Sequence, residues 1–280
     1  MTQVWQPDPT DGYPDPTHPG PGGWLLIVLR VIPLVILNFG GLVILLLIRL
    51  VERPLCGVHR PVTSRLVQAV CILSLKLVGL RLCVSGRPMR EGGAVVANHS
   101  SWLDIFVLNA AKRIYFVSKE EVAGWAGIGW LARATGTVFI RRDRREAQAQ
   151  TQVFRERLGA GHKLLFFPEG TSTDGIRVLP FKSTLFDAFF AEDLKTHLHV
   201  QPVTVVYHAP ADAEPRFYGW FGGMGFAGHI VQVLSHWKRG SVDVIWHDPI
   251  PAAQVENRKV MARTAEAAVR GGMPPERRIT

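Results

Sequence analysis

Residues 94–104 read Ala94-Val95-Val96-Ala97-Asn98-His99-Ser100-Ser101-Trp102-Leu103-Asp104, and their order decides the fold. A short apolar run stops at small polar residues, and a helical pattern starts at Trp102, so a strand feeds a helix through a tight turn. The same alternation extends outward on both sides. Residues 113–117, 137–140, 163–167, 200–207 and 242–246 have the β-branched and aromatic content of strands. Residues 102–111, 120–134, 146–158 and 254–270 carry helical spacing. Strands alternating with helices imply an α/β fold with a largely parallel mixed sheet flanked by helices. In such sheets ligands bind beyond the carboxyl ends of strands, where His99 stands here.

Upstream of this unit the composition changes twice. Residues 1–23 hold Pro7, Pro9, Pro14, Pro16, Pro19 and Pro21 among glycines and aspartates, which reads as a flexible tail. Residues 24–50 are nearly all aliphatic and long enough to cross a hydrocarbon layer of about 30 Å as a helix, though Arg30, Pro33 and Asn38 interrupt them. No basic leader precedes this stretch, so it reads as a retained membrane anchor, either a single span or a re-entrant helical pair. Arg49, Arg53, Arg60 and Arg65 follow it, which by the positive-inside bias places the following domain in the cytoplasm, at the inner membrane. Residues 66–82 read equally as an interfacial amphipathic helix or as a core helix.

The chain has 280 residues and a net charge of +9, which calls for an anionic partner. No zinc-finger spacing, RNP-like motif or basic heptad helix is present, so the bilayer surface is the expected partner and nucleic acid is not. Cys56, Cys71 and Cys83 lie in or beside apolar stretches without paired spacing, so neither a disulfide framework nor a metal site is expected.

Three segments carry chemistry. In the first, a histidine with a nearby carboxylate is the pairing that takes a proton from an alcohol. Five residues on a regular helix would separate His99 and Asp104, so they meet only if His99 lies in the turn and Asp104 in the first helical turn. Ser101 and Asp104 equally fit a helix-capping box, and spacing alone leaves both readings open. In the second, Gly136-Thr137-Val138-Phe139-Ile140-Arg141-Arg142 ends a strand in arginines, of which Arg141 is the candidate for a substrate anion. In the third, Phe166-Phe167-Pro168-Glu169-Gly170-Thr171 breaks a strand with a carboxylate and free backbone amides, or with an ordinary Pro-Gly turn. A serine hydrolase using Ser100 or Ser101 is disfavoured, because no G-x-S-x-G elbow occurs.

Together NHSSWLD, GTVFIRR, FPEGT and the VQPV strand at Val200, over residues 90–207, resemble the PlsC-type glycerolipid acyltransferase family. The resemblance implies an acyltransferase domain over 86–280, behind a membrane-anchor region over 24–85. It implies His99 as general base and Asp104 as its support, with acyl-ACP or acyl-CoA as co-substrate and neither cofactor nor metal. Arg141, Glu169, Gly170, Thr171 and Lys182 are then expected to bind the acceptor, a lyso-lipid. Members acting on lysophosphatidic acid usually continue as FPEGTR, whereas Ser172 stands here. The longer segment FPEGTSTDGIRVLPFKSTLF, with Arg216-Phe217-Tyr218-Gly219-Trp220, is similar to the lyso-ornithine lipid branch of that family, which implies lyso-ornithine lipid as the preferred acceptor and lysophosphatidic acid as the alternative or a second one.

Overall fold

The computed structural model describes residues 4–15, 18–125, 127–140, 147–190, 195–196 and 198–277. Its centre is an eight-stranded sheet in the order β1-β7-β6-β2-β5-β3-β4, with β8 also pairing β6. The strands are β1 Arg81–Gly86, β2 Gly93–Ala97, β3 Tyr115–Lys119, β4 Val138–Ile140, β5 Lys163–Phe166, β6 His199–His208, β7 Ser241–Trp246 and β8 Ile250–Pro251. Pairing is parallel except where β6 meets β7 and β8. The sheet is thus mixed and mostly parallel, as expected.

The helices are α1 Pro21–Cys56, α2 Thr63–Val78, α3 Asp104–Ala111, α4 Ile128–Thr135, α5 Ala147–Gly159, α6 Phe226–Ser235 and α7 Arg258–Gly272. They cover both faces of the sheet. Val95, Ala97 and Val203 pack with Leu75 of α2, Val107 of α3 and Val233 of α6. Ala94, Val96 and Val200 pack on the other side with Phe154 of α5 and Met261 and Ala265 of α7. Alternate residues of β2 therefore serve opposite cores, and all five are buried, which is why the strand reads as a continuous apolar run.

The expected helix over 120–134 is two pieces, a 3-10 turn Glu120–Gly124 and α4. Gly127 separates them at φ 71°, a left-handed conformation that a continuous helix cannot contain. Among the strands and α-helices, β1, β8 and α6 were not expected at all. Pro202 lies in a central strand, yet its missing N–H costs no ladder bond. β8 pairs only as far as Val200 and β7 begins at Val203, so Pro202 falls in the gap between them.

α1 has 36 residues and is long and apolar enough to cross a membrane. The polar residues that interrupt it all turn toward protein. Arg30 donates to the carbonyls of Leu234 and His236 at the end of α6. Asn38 donates to Ser74 Oγ on α2. Glu52 accepts from the backbone N–H groups of Val62 and Thr63, satisfying free donors at the start of α2. The opposite face leaves Leu25, Leu29, Ile32, Ile36, Val43, Leu47 and Leu50 exposed. One stripe of the helix is thus fastened along the domain and the other is bare hydrocarbon.

Candidate active site

β2 delivers its chain to the carboxyl edge of the sheet, and Asn98 holds the turn that follows. The Asn98 amide donates to the carbonyl of Val205 and accepts from the N–H of the same residue, extending the β2–β6 ladder by a side chain. His99 then stands clear of the sheet. Its Nδ1 lies 2.7 Å from Asp104 Oδ2, and its ring stacks on Phe167 with centroids 4.0 Å apart. The His99 side chain is 22% exposed and that of Asp104 fully enclosed, so only the histidine can meet a reactant.

Asp104 is the first residue of α3, and the two readings of it prove compatible. Oδ2 also accepts from the N–H groups of Ser100 and Ser101, as a capping residue does, while Oδ1 accepts from Tyr207 Oη at 2.7 Å. Four donors thus converge on one buried carboxylate. Burial and the neighbouring carboxylate push the Tyr207 hydroxyl well above its usual value, which keeps it a donor. A carboxylate so held fixes Nδ1–H on the imidazole and leaves Nε2 as the basic nitrogen facing outward. Among the described residues no serine hydroxyl is bonded to His99, and Ser100 Oγ is buried without a hydrogen-bond partner.

β5 brings in the next group. Glu169 is 1% exposed; its Oε1 accepts from the N–H of His99 and its Oε2 from that of Leu179, each at 2.7 Å. Both oxygens are therefore committed to backbone. Burial pushes this carboxyl up to about 8, against the pull of the two N–H donors that favour the anion. Thr173 also ties the two loops, donating its N–H to the carbonyl of His99. Gly170 turns at φ 74°, a left-handed conformation that disfavours a side chain, and a Cβ there would point at Lys182 Nζ, 2.9 Å away. Lys119, at the carboxyl end of β3, donates to the Gly170 carbonyl at 3.1 Å.

The structure thus brings His99, Asp104, Glu169, Gly170, Thr171 and Lys182 to one edge of the sheet, and Arg141 lies outside the described residues. Sequence reasoning had not singled out Tyr207, Phe167 or Lys119. Phe167 sits inside the FPEGT segment and Lys119 ends a strand parallel to it, so both positions carried a signal. Tyr207 did not, because it lies 103 residues from its partner.

A family model described as Acyltransferase matches residues 81–206, which include β1 and every residue of the site named so far except Tyr207. A protein of Rhodobacter capsulatus named lyso-ornithine lipid O-acyltransferase is 52% identical over 96% of this chain and 97% of its own. The chain belongs to the acyltransferase family. A protein of Pseudomonas aeruginosa with the same name is 38% identical over 67% of this chain and 70% of its own. The crystal structure titled 1-acyl-sn-glycerophosphate (LPA) acyltransferase, PlsC, from Thermotoga maritima shares the fold of this acyltransferase. Its TM-score is 0.63 at 22% identity, covering 90% of this chain and 94% of that one.

Proposed function

We propose that this acyltransferase moves a fatty acyl group from acyl-ACP or acyl-CoA to the hydroxyl of a lyso-lipid, with lyso-ornithine lipid as the preferred acceptor. The observation that carries the reading is the half-open His99 ring held on a four-donor Asp104. Nε2 of His99 takes the acceptor proton, the alkoxide attacks the thioester carbonyl, and the proton returns to the departing thiolate. Asp104 stays ionised and stabilises the imidazolium in between. No acyl-enzyme forms and no metal is required. Glu169 acts through the backbone of His99, while Gly170, Thr171, Lys182 and Arg141 meet the acceptor.

Two supports favour the lyso-ornithine acceptor over lysophosphatidic acid. Relatives at 52% and 38% identity bear that name. The arginine expected after Thr171 for a phosphate monoester is Ser172, and Arg177 does not stand in for it. The Arg177 guanidinium is held by Asp174 at 2.9 Å and by Asp11 at 3.0 Å. Losing one charge-assisted partner for a desolvated phosphate costs about 1.5–3 kcal/mol, one to two decades in affinity. Purified protein given labelled acyl donor and a panel of lyso-lipids should acylate lyso-ornithine lipid with the higher kcat/KM, and Ser172→Arg should shift the ratio toward lysophosphatidic acid. Acylation of lysophosphatidic acid alone would overturn the acceptor assignment.

The bare face of α1 is proposed to rest in the inner membrane with the catalytic domain on the cytoplasmic side, the exposed Trp130 and Trp237 serving as interfacial residues. Arg53 and Arg65, exposed where α1 hands over to α2, would meet anionic lipid headgroups. The protein should sediment with membranes and be released by detergent and not by high salt. Protease added outside intact spheroplasts should leave the domain whole; its digestion from that side refutes the orientation.

A further inference from the structure

The N-terminal segment rests against the FPEGT loop. Trp5 donates its N–H to Thr171 Oγ1 at 3.3 Å, and its ring lies 5.2 Å beneath the Arg177 guanidinium. Tyr13 stacks on Phe221 and accepts at Oη from the N–H of Gly223. Arg216 donates to the carbonyl of Gly12 at 3.0 Å, which fixes the backbone beside Asp11. The segment that receives this tail is itself tied to the catalytic turn, because Trp220 donates its N–H to the carbonyl of Ser100.

Charge around the Thr171 turn is consequently divided. On one side Lys119 and Lys182 converge on Gly170. On the other, Arg177 is matched by two carboxylates, the buried Asp174 and the half-exposed Asp11, and Arg216 is paired with Glu214, so carboxylates outnumber guanidiniums on that side. A phosphate monoester presents only negative charge and meets Asp11 as a repulsion. A head group carrying both a carboxylate and an ammonium has one charge for each side.

We propose that the Gly170–Thr171 turn is the centre of a two-pole cradle for a zwitterionic amino-acid head group. Lys119 and Lys182 take its carboxylate, and Asp11 of the N-terminal segment takes its ammonium. This rests on the acceptor reading above and names the residues that enforce it. Asp11 is a specificity determinant and takes no part in proton transfer.

The test measures KM and kcat of the full chain, in detergent, with lyso-ornithine lipid and with lysophosphatidic acid. Asp11→Asn should raise KM for lyso-ornithine lipid by about threefold to fivefold and leave its kcat, while KM for lysophosphatidic acid stays level or falls. Asp11→Lys should enlarge the same divergence. Lys119→Gln should instead raise KM for both acceptors, since each offers an anion. Asp8→Asn, which loses two local bonds from Thr10 and only a weak attraction to Arg177, should change the acceptor ratio less than Asp11→Asn. An unchanged acceptor ratio in both Asp11 variants overturns the cradle alone. Failure of the wild type to acylate lyso-ornithine lipid overturns the acceptor reading and the cradle with it.

Discussion

His99→Ala is expected to abolish acyl transfer, lowering kcat by about 10³-fold or more, while the thermal unfolding midpoint stays near that of the wild type. The side chain is partly solvent-exposed and bonds only to Asp104, so its removal leaves a small gap over Phe167 and little unpaired polarity. What is lost is the base proposed to take the acceptor proton, and general-base contributions run to about 10²–10⁴. Asp104→Asn separates catalysis from capping. Asparagine caps a helix as well as aspartate does. It cannot, however, hold the Nδ1–H tautomer with a full negative charge, and a loss of about 10²- to 10⁴-fold is expected from that change alone. Circular dichroism should show both variants folded. Full activity in Asp104→Asn would reduce Asp104 to a helix cap and remove the dyad.

Much of this site could be read before any coordinates. The β2 strand announced itself because its two faces enter two cores, leaving no polar residue in it, and β5 is likewise apolar after Lys163. The motifs then fell where parallel strands end. Less legible was everything whose meaning comes from across the fold. β1 pairs only β7 and is largely exposed, so it lacks the apolar alternation that marks a strand, and it looked like the end of the preceding helical run. α6 follows Gly222, Gly223 and Gly225, whose density reads as loop. The polar residues within α1 looked like interruptions; they are the stripe that fastens it to α2 and α6. In the N-terminal tail, average composition concealed what single residues do. Trp5, Asp11, Gly12 and Tyr13 reach the domain, and the proline-rich composition around them does not announce it.

Glu169→Gln should be nearly as damaging as loss of Asp104, though by another route. The carboxyl group receives one backbone N–H on each oxygen, from His99 and from Leu179, in a site closed to water. Glutamine has one acceptor oxygen, and its amide would point a donor at whichever N–H remains. A buried donor left unpaired costs about 1–3 kcal/mol, and the donor–donor contact adds to it. The chain relieves that cost by moving the His99 turn or the Leu179 loop, and either movement displaces the base from the acceptor. A loss in kcat of about 10²-fold is therefore expected, with a lowered unfolding midpoint, whereas His99→Ala lowers kcat only. The pH dependence supplies an independent check. Burial raises the folded-state pKa of Glu169 from its ordinary 4.5 to about 8, so between these values the native state binds the proton more tightly than the unfolded chain. Its contribution to stability is then fully present below about pH 4.5 and is lost as pH rises through 8. The gap in unfolding midpoint between wild type and Glu169→Gln should narrow from pH 5.5 to pH 8, read by differential scanning calorimetry. A gap that stays level over that interval would mean that Glu169 is already ionised at the lower pH, with the two N–H donors outweighing its burial.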